Sequence, residues 1–319
     1  MTAPTSPNTP SPSSPSAASN PSTTDGPTRH AGDAVGTPVA WWLRAWLAVE
    51  VFFGLAAISS IFLRPDQTAT NFAWPIPATV MAATLGAFYF ASALLFVLPL
   101  FERRWENVRV MILPTAVFAT AMCVTTFLHW SKFSLWTLPF NVWLASYVLP
   151  PPIFTAAYAW HQRRALPVGT AVDGRLPAAA RTFLRTNGLA VVAVALTLYV
   201  VPSLLVPRGP WPLTPLTLRA LCSWLIGVGL LQVWMAWEND WRRVRLATAM
   251  LLLLPPALYV QLARFRTAVD WSNLALWILL ADVTAAGLVA VWLWLTVRRD
   301  AGEARDGRDG RDHRERQDD

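Results

Sequence analysis

Eight long apolar runs stand between two polar tails, separated by short polar breaks. They fall near residues 41–63, 78–100, 109–128, 141–160, 188–206, 217–236, 246–263 and 273–297. As a helix rising 1.5 Å per residue, each reaches across roughly 30 Å of hydrocarbon. The pattern predicts an all-α integral membrane protein with eight transmembrane helices. Residues 1–37 are Pro, Ser, Thr, Ala and Asn with almost no large apolar side chain, and 300–319 repeat Arg-Asp-Gly. Such compositions bury too little surface to offset the entropy of ordering, so both tails are expected to be disordered. The tail 1–37 has neither a basic start nor an apolar core of its own, so the run beginning at Trp41 would serve as an uncleaved signal-anchor.

The two halves of the apolar region resemble each other. Glu102-Arg-Arg-Trp105-Glu-Asn-Val108-Arg109 and Glu238-Asn-Asp-Trp241-Arg-Arg-Val244-Arg245 share the pattern E-x-x-W-x-x-V-R at an offset of 136. Trp74-Pro75 matches Trp211-Pro212 at 137, and Trp143 and Trp160 match Trp277 and Trp294 at 134. Four runs per unit is an even number, so both units would enter the membrane the same way, as two parallel four-helix repeats. The expected organisation is a tail over 1–37, a first membrane repeat over 38–160, a cytoplasmic linker over 161–187, a second repeat over 188–299 and a charged tail over 300–319. A short interfacial helix is expected within the linker, over 177–186.

Composition agrees with the pattern. Of 319 residues 54% are hydrophobic and only 14% charged, against about 25% charged in soluble domains. The 18 Trp suit the membrane–water boundary, and belt anchoring accounts for the aromatic outer loops around Trp74, Trp136, Trp211 and Trp271. The net charge of +7 comes from basic residues in the breaks between apolar runs, which argues topogenic charge and no nucleic-acid partner. Placing the N-terminus in the cytoplasm puts 20 of the 26 basic residues on that side, as the positive-inside rule requires. The expected location is the cell membrane, with both termini cytoplasmic.

The stretches Phe72-Ala-Trp-Pro-Ile, Leu85-Gly86-Ala-Phe-Tyr89 and Glu102-Arg-Arg-Trp105 resemble hypothetical multi-pass membrane proteins of high-GC bacteria. The resemblance implies a membrane fold and no particular activity or site residues.

Chemistry is sparse. Glu50 and Asp282 each lie about nine residues inside a run, where a charge costs roughly 2.5–3.5 kcal/mol and usually faces a partner or a cavity. Pro114, Pro150-Pro151-Pro152 and Pro255-Pro256 should break the third, fourth and seventh helices, and broken helices near the midplane are where transporters place their sites. Glu50, Asp282, Pro151 and Pro255 are therefore the candidate ligand or ion path, set in the seam between the repeats. The competing reading is a satisfied structural pair for each acid and a packing kink for each proline. Glu102, Trp105 and Arg109, like Glu238, Trp241 and Arg245, would clasp the two arms of each hairpin. Ala83, Ala87, Ala91, Gly227 and Gly229 suggest close helix packing. No phosphate-binding loop, catalytic triad or metal-ligand spacing is present; His129 stands without a second ligand, and no metal or cofactor is expected. The leading expectation is a protein of the lipid bilayer that binds or moves a small or lipidic ligand between its repeats. A scaffold or regulator meeting a soluble or membrane protein partner through hairpins and tails is the alternative, and a lipid-modifying enzyme the third.

Overall fold

The computed structural model describes residues 36–165 and 174–315. Helix α1 (Trp41–Ala57) runs into a π turn over Ile58–Phe62; a short α2 (Thr68–Asn71) and α3 (Thr79–Leu100) follow. Then come α4 (Arg109–Leu128), α5 (Leu138–Val148), α6 (Pro150–Gln162), α7 (Ala178–Val200), α8 (Pro215–Glu238), α9 (Trp241–Arg264) and α10 (Leu274–Glu315). No strand is present among the described residues; one isolated bridge pairs Pro38 with Arg104. Among the described residues seven helices are long and apolar enough to cross a bilayer: Trp41–Phe62, α3, α4, α7, α8, α9 and Leu274–Thr296. The chain is an all-α, multi-pass membrane protein.

The fourth expected span is the exception. Pro150, Pro151 and Pro152 remove three backbone donors in succession, leaving the carbonyls of Ser146, Tyr147 and Val148 without the amides four residues on. The helix divides there into α5 and α6, at Leu149. At 1.5 Å per residue the 11 and 13 residues of these helices reach about 17 Å and about 20 Å, too short to cross singly.

Four sequence expectations are corrected. First, α4 and α9 continue through Pro114 and Pro255-Pro256 without a break; neighbouring helices make good such local losses, and the Pro255 ring seats against Gly287, whose missing side chain leaves room for it. Second, the interfacial helix expected over 177–186 is the first part of α7, which ends at Val200. Third, α10 continues to Glu315 through the Arg-Asp-Gly repeats, because lengthening an existing helix needs no new nucleus. Fourth, Thr37 belongs to the fold rather than to a tail: it is buried, its amide donates to Glu106 Oε1 at 3.0 Å, and its carbonyl accepts from the Trp105 amide at 2.8 Å. The expected disorder of 1–35 and 316–319, and linker residues 166–173, lie outside the described residues.

Packing sorts the helices into centre and edge. Helix α3 packs chiefly on α9, and α4 on α8. Helices α1 and α7 lie against α3 and α8, while α10 covers α9 and α5–α6 cover α4. In both α3 and α8, 72% of the apolar window is buried, against 17% in α7. An apolar helix exposed to that extent is stable only where its surroundings are apolar as well, which a bilayer provides.

Candidate functional site

Two hairpins, α3–α4 and α8–α9, lie at one face of the molecule, with the two copies of the E-x-x-W-x-x-V-R motif. The ion pairs expected within each hairpin are instead made between them. Arg109 Nε and Nη2 donate to Glu238 Oε1 and Oε2 at 2.6 and 2.5 Å, and Arg245 Nη2 donates to Glu102 Oε2 at 3.1 Å. Each copy contributes its acid to the other copy's arginine. The reason is the packing of α3 on α9 and of α4 on α8, which brings the start of one hairpin's second arm to the end of the other's first. Burial pushes the Glu102 carboxyl up, but amide donors at Arg104 and Arg103, with Asn107 and Arg245, outweigh it and hold the group below the usual carboxylate range. Trp105 stacks on His161 at 4.4 Å between ring centroids, and Trp241 meets Trp294 edge-on at 5.2 Å. Both motif tryptophans are buried.

At the opposite face the loops are also tied down. Ser134 donates its amide to Ala73 O at 2.9 Å, and Asp270 to Pro210 O at 2.7 Å. Trp74 and Trp211 are buried in these loops rather than serving as belt anchors; Trp136 and Trp271 are the exposed ones. His129 has a partner that spacing could not show: Arg219 Nη1 lies 2.8 Å from its Nε2. An arginine only donates, so Nε2 accepts and the ring is neutral. Burial, followed by the charges of Arg219 and Lys132, pushes the imidazole below its ordinary 6.5. A depressed pKa means the contact's stability is complete above 6.5 and is lost as pH falls through the folded value. The melting temperature should therefore decline as pH falls below 6.5, and His129→Gln, which cannot titrate, should show a smaller decline. Parallel melting curves that overlay at every pH would refute this role.

Between α1, α3, α4 and α5, with Trp224 of α8 at the back, lies a cavity of 270 Å³. Glu50 lines it and is only 7% exposed. The indole of Trp46, one turn earlier on α1, acts on the carboxyl, yet Glu50 Oε1 completes no hydrogen bond among the described residues. The walls are aromatic. Trp224 lies 4.1 Å from Phe118 and 4.8 Å from Tyr89, and Trp143 lies 4.4 Å from Tyr147. The Tyr89 and Tyr147 hydroxyls bond each other, and Trp143 Nε1 donates to Thr126 at 3.0 Å. Asn71 Oδ1 and Trp224 Nε1 are the other polar atoms of the lining left without a partner. Two of the lining residues, Phe52 of α1 and Leu138 of α5, are exposed. Glu50 sits nine residues into α1, about 13 Å along its axis.

The other sequence candidates lie elsewhere. Asp282 lines a separate cavity of 570 Å³ between α7, α8 and α10, whose walls are apolar apart from Asp282 and Asn187. It is paired: Asn187 Nδ2 donates to Asp282 Oδ1 at 2.8 Å and to Gln232 Oε1 at 3.1 Å. The two acids therefore share no cavity: the Asp282 cavity is lined by α7, α8, α10 and the loop before α8, while the Glu50 cavity is lined by first-half residues together with Trp224 of the second half. Of the proline run it is Pro150, not Pro151, that lines the Glu50 cavity, and Pro255 packs on Gly287. Sequence reasoning missed Tyr89, Tyr147 and Trp224, which look like ordinary apolar-run residues; the π turn at Ile58–Phe62 leaves no mark in the sequence. No three-residue cluster suited to a metal occurs among the described residues. Comparison of the chain with protein-family models, with curated proteins and with solved structures finds no match.

Proposed function

We propose that this membrane protein binds a small or lipidic ligand that enters from the bilayer into the cavity ending on Glu50. The observation that carries the reading is a carboxyl 7% exposed, with an oxygen unpartnered among the described residues, on the wall of a 270 Å³ space. Acids are expensive at that depth and are retained where something uses them. The exposed apolar side chains of Phe52 and Leu138 in its lining suit a molecule already dissolved in lipid. We further propose eight crossings, with α5 and α6 together making the fourth, built as two four-helix repeats with both termini cytoplasmic. Support comes from the reciprocal pairs Arg109–Glu238 and Arg245–Glu102, and from the matching loop bonds at Ser134 and Asp270. Partner docking through the hairpin tryptophans is disfavoured by their burial.

Gly54 provides the test. It lines the cavity, and a side chain built there would meet no atom within 4 Å. Gly54→Phe should fill the space without straining α1 and should abolish co-purification of the bound small molecule with the protein, read by native mass spectrometry. An unchanged bound mass in a folded Gly54→Phe protein would remove this cavity from consideration.

A further inference from the structure

Resting on that reading, we infer that the ligand of the Glu50 cavity is a lipophilic organic cation, an ammonium group carrying apolar substituents. The cavity offers acceptors and ring faces and no opposing charge. Glu50 Oε1 and Asn71 Oδ1 are both unpartnered acceptors among the described residues. No Lys, Arg or His lines the cavity, so an anion would meet no positive charge there and would have the single indole donor of Trp224 beside the Glu50 carboxyl. A neutral apolar guest would leave the buried carboxyl with the Trp46 indole alone acting on it and Oε1 without a partner, a costly outcome for such a group. A cation meets the carboxyl and the faces of the surrounding rings together. Trp224, Trp143, Tyr89 and Tyr147 all line the space, and aromatic faces attract desolvated cations, Trp most strongly. The proline run adds to this: Ser146 and Tyr147 are lining residues, and their carbonyls lack their helical donors. The contrast with the second cavity is chemical. There Asp282 has Asn187 as its donor and the remaining walls are almost wholly aliphatic, so nothing in it calls for a cation.

The test compares two probes of one shape in the same detergent, benzyltrimethylammonium and its neutral isostere neopentylbenzene, by calorimetric titration. The wild-type protein should bind the cation at least about tenfold more tightly. Glu50→Gln should bring that preference below about twofold and leave binding of the neutral probe unchanged. Equal binding of both probes by the wild type, or a preference that survives in Glu50→Gln, would overturn the cation assignment while leaving the cavity as a binding site. Binding of neither probe would overturn the assignment and the proposed function together. Should Glu50→Gln fail to fold, Trp224→Phe keeps a ring with a weaker face; it should lower the cation preference by about threefold, and an unchanged preference there likewise overturns the assignment.

Discussion

Arg109→Ala should destabilise the protein by roughly 3–5 kcal/mol, the usual result of breaking a buried pair by removing one partner. Glu238 is 8% exposed in its side chain and Arg109 18%. The contact is two-pronged, the arrangement in which guanidinium and carboxylate interact most strongly. Without Arg109, the charged partner Glu238 keeps among the described residues is Arg243 at 3.5 Å, and a buried carboxylate without close donors is the expensive remainder. The reciprocal pair gives an internal control. Arg245 is 47% exposed, so Arg245→Ala should cost no more than about 1 kcal/mol, although the motif is the same. Thermal or denaturant melts of both variants in one detergent read the difference. A double-mutant cycle with Glu238→Gln should recover much of the loss, since the second change removes the stranded charge. Equal, small effects at Arg109 and Arg245 would show that the hairpin pairs are solvated and structurally idle.

Gly188→Val should be the second severe change. A Cβ at Gly188 would come within 2.5 Å of the Gly229 carbonyl oxygen, and one at Gly229 within 2.8 Å of the Gly188 carbonyl oxygen. The two backbones meet where neither has a side chain, as small residues permit in membranes. The nearest atoms are backbone and cannot rotate away, so α7 must move off α8. Overpacking costs typically 1–3 kcal/mol where some relaxation is available, and here the upper end or beyond is expected. The displacement would also pull the adjacent Asn187 from Asp282 and Gln232. Gly54→Ala is the contrast: with nothing within 4 Å of the new atom, it should leave stability unchanged or raise it by up to roughly 0.5–1 kcal/mol, the usual penalty of a mid-helix glycine. A Gly188→Val protein that melts with the wild type would place α7 farther from α8 than described.

The spans were largely legible because an apolar run of sufficient length has few alternatives to a helix in lipid. Their ends were less legible. Whether Ala178 belongs to a loop or to α7, and whether α10 stops at the membrane, depends on helix propagation and packing rather than on local polarity. The prolines show the same limit: three in succession divided α5 from α6, but Pro114 and Pro255 left their helices unbroken. The site was half legible. Depth in an apolar run singled out Glu50 and Asp282, of which the first is buried and the second half-buried. It could not tell that Asn187, 95 residues away, satisfies one while the other is left on an aromatic wall.

Hydrophobic patterning alone determined that this chain lives in a membrane as helices, since polarity along the chain is a property each residue carries with it. The spacing of the two E-x-x-W-x-x-V-R motifs likewise lay in the chain. Which acid met which arginine did not. Residues 109 and 102 are near in sequence and 109 and 238 are far, yet the crossing of α3 with α9 and of α4 with α8 joined the distant pair. Tertiary packing also decided that Glu50 has a cavity and Asp282 a partner, because satisfaction of a buried charge depends on the neighbours that other helices bring to it.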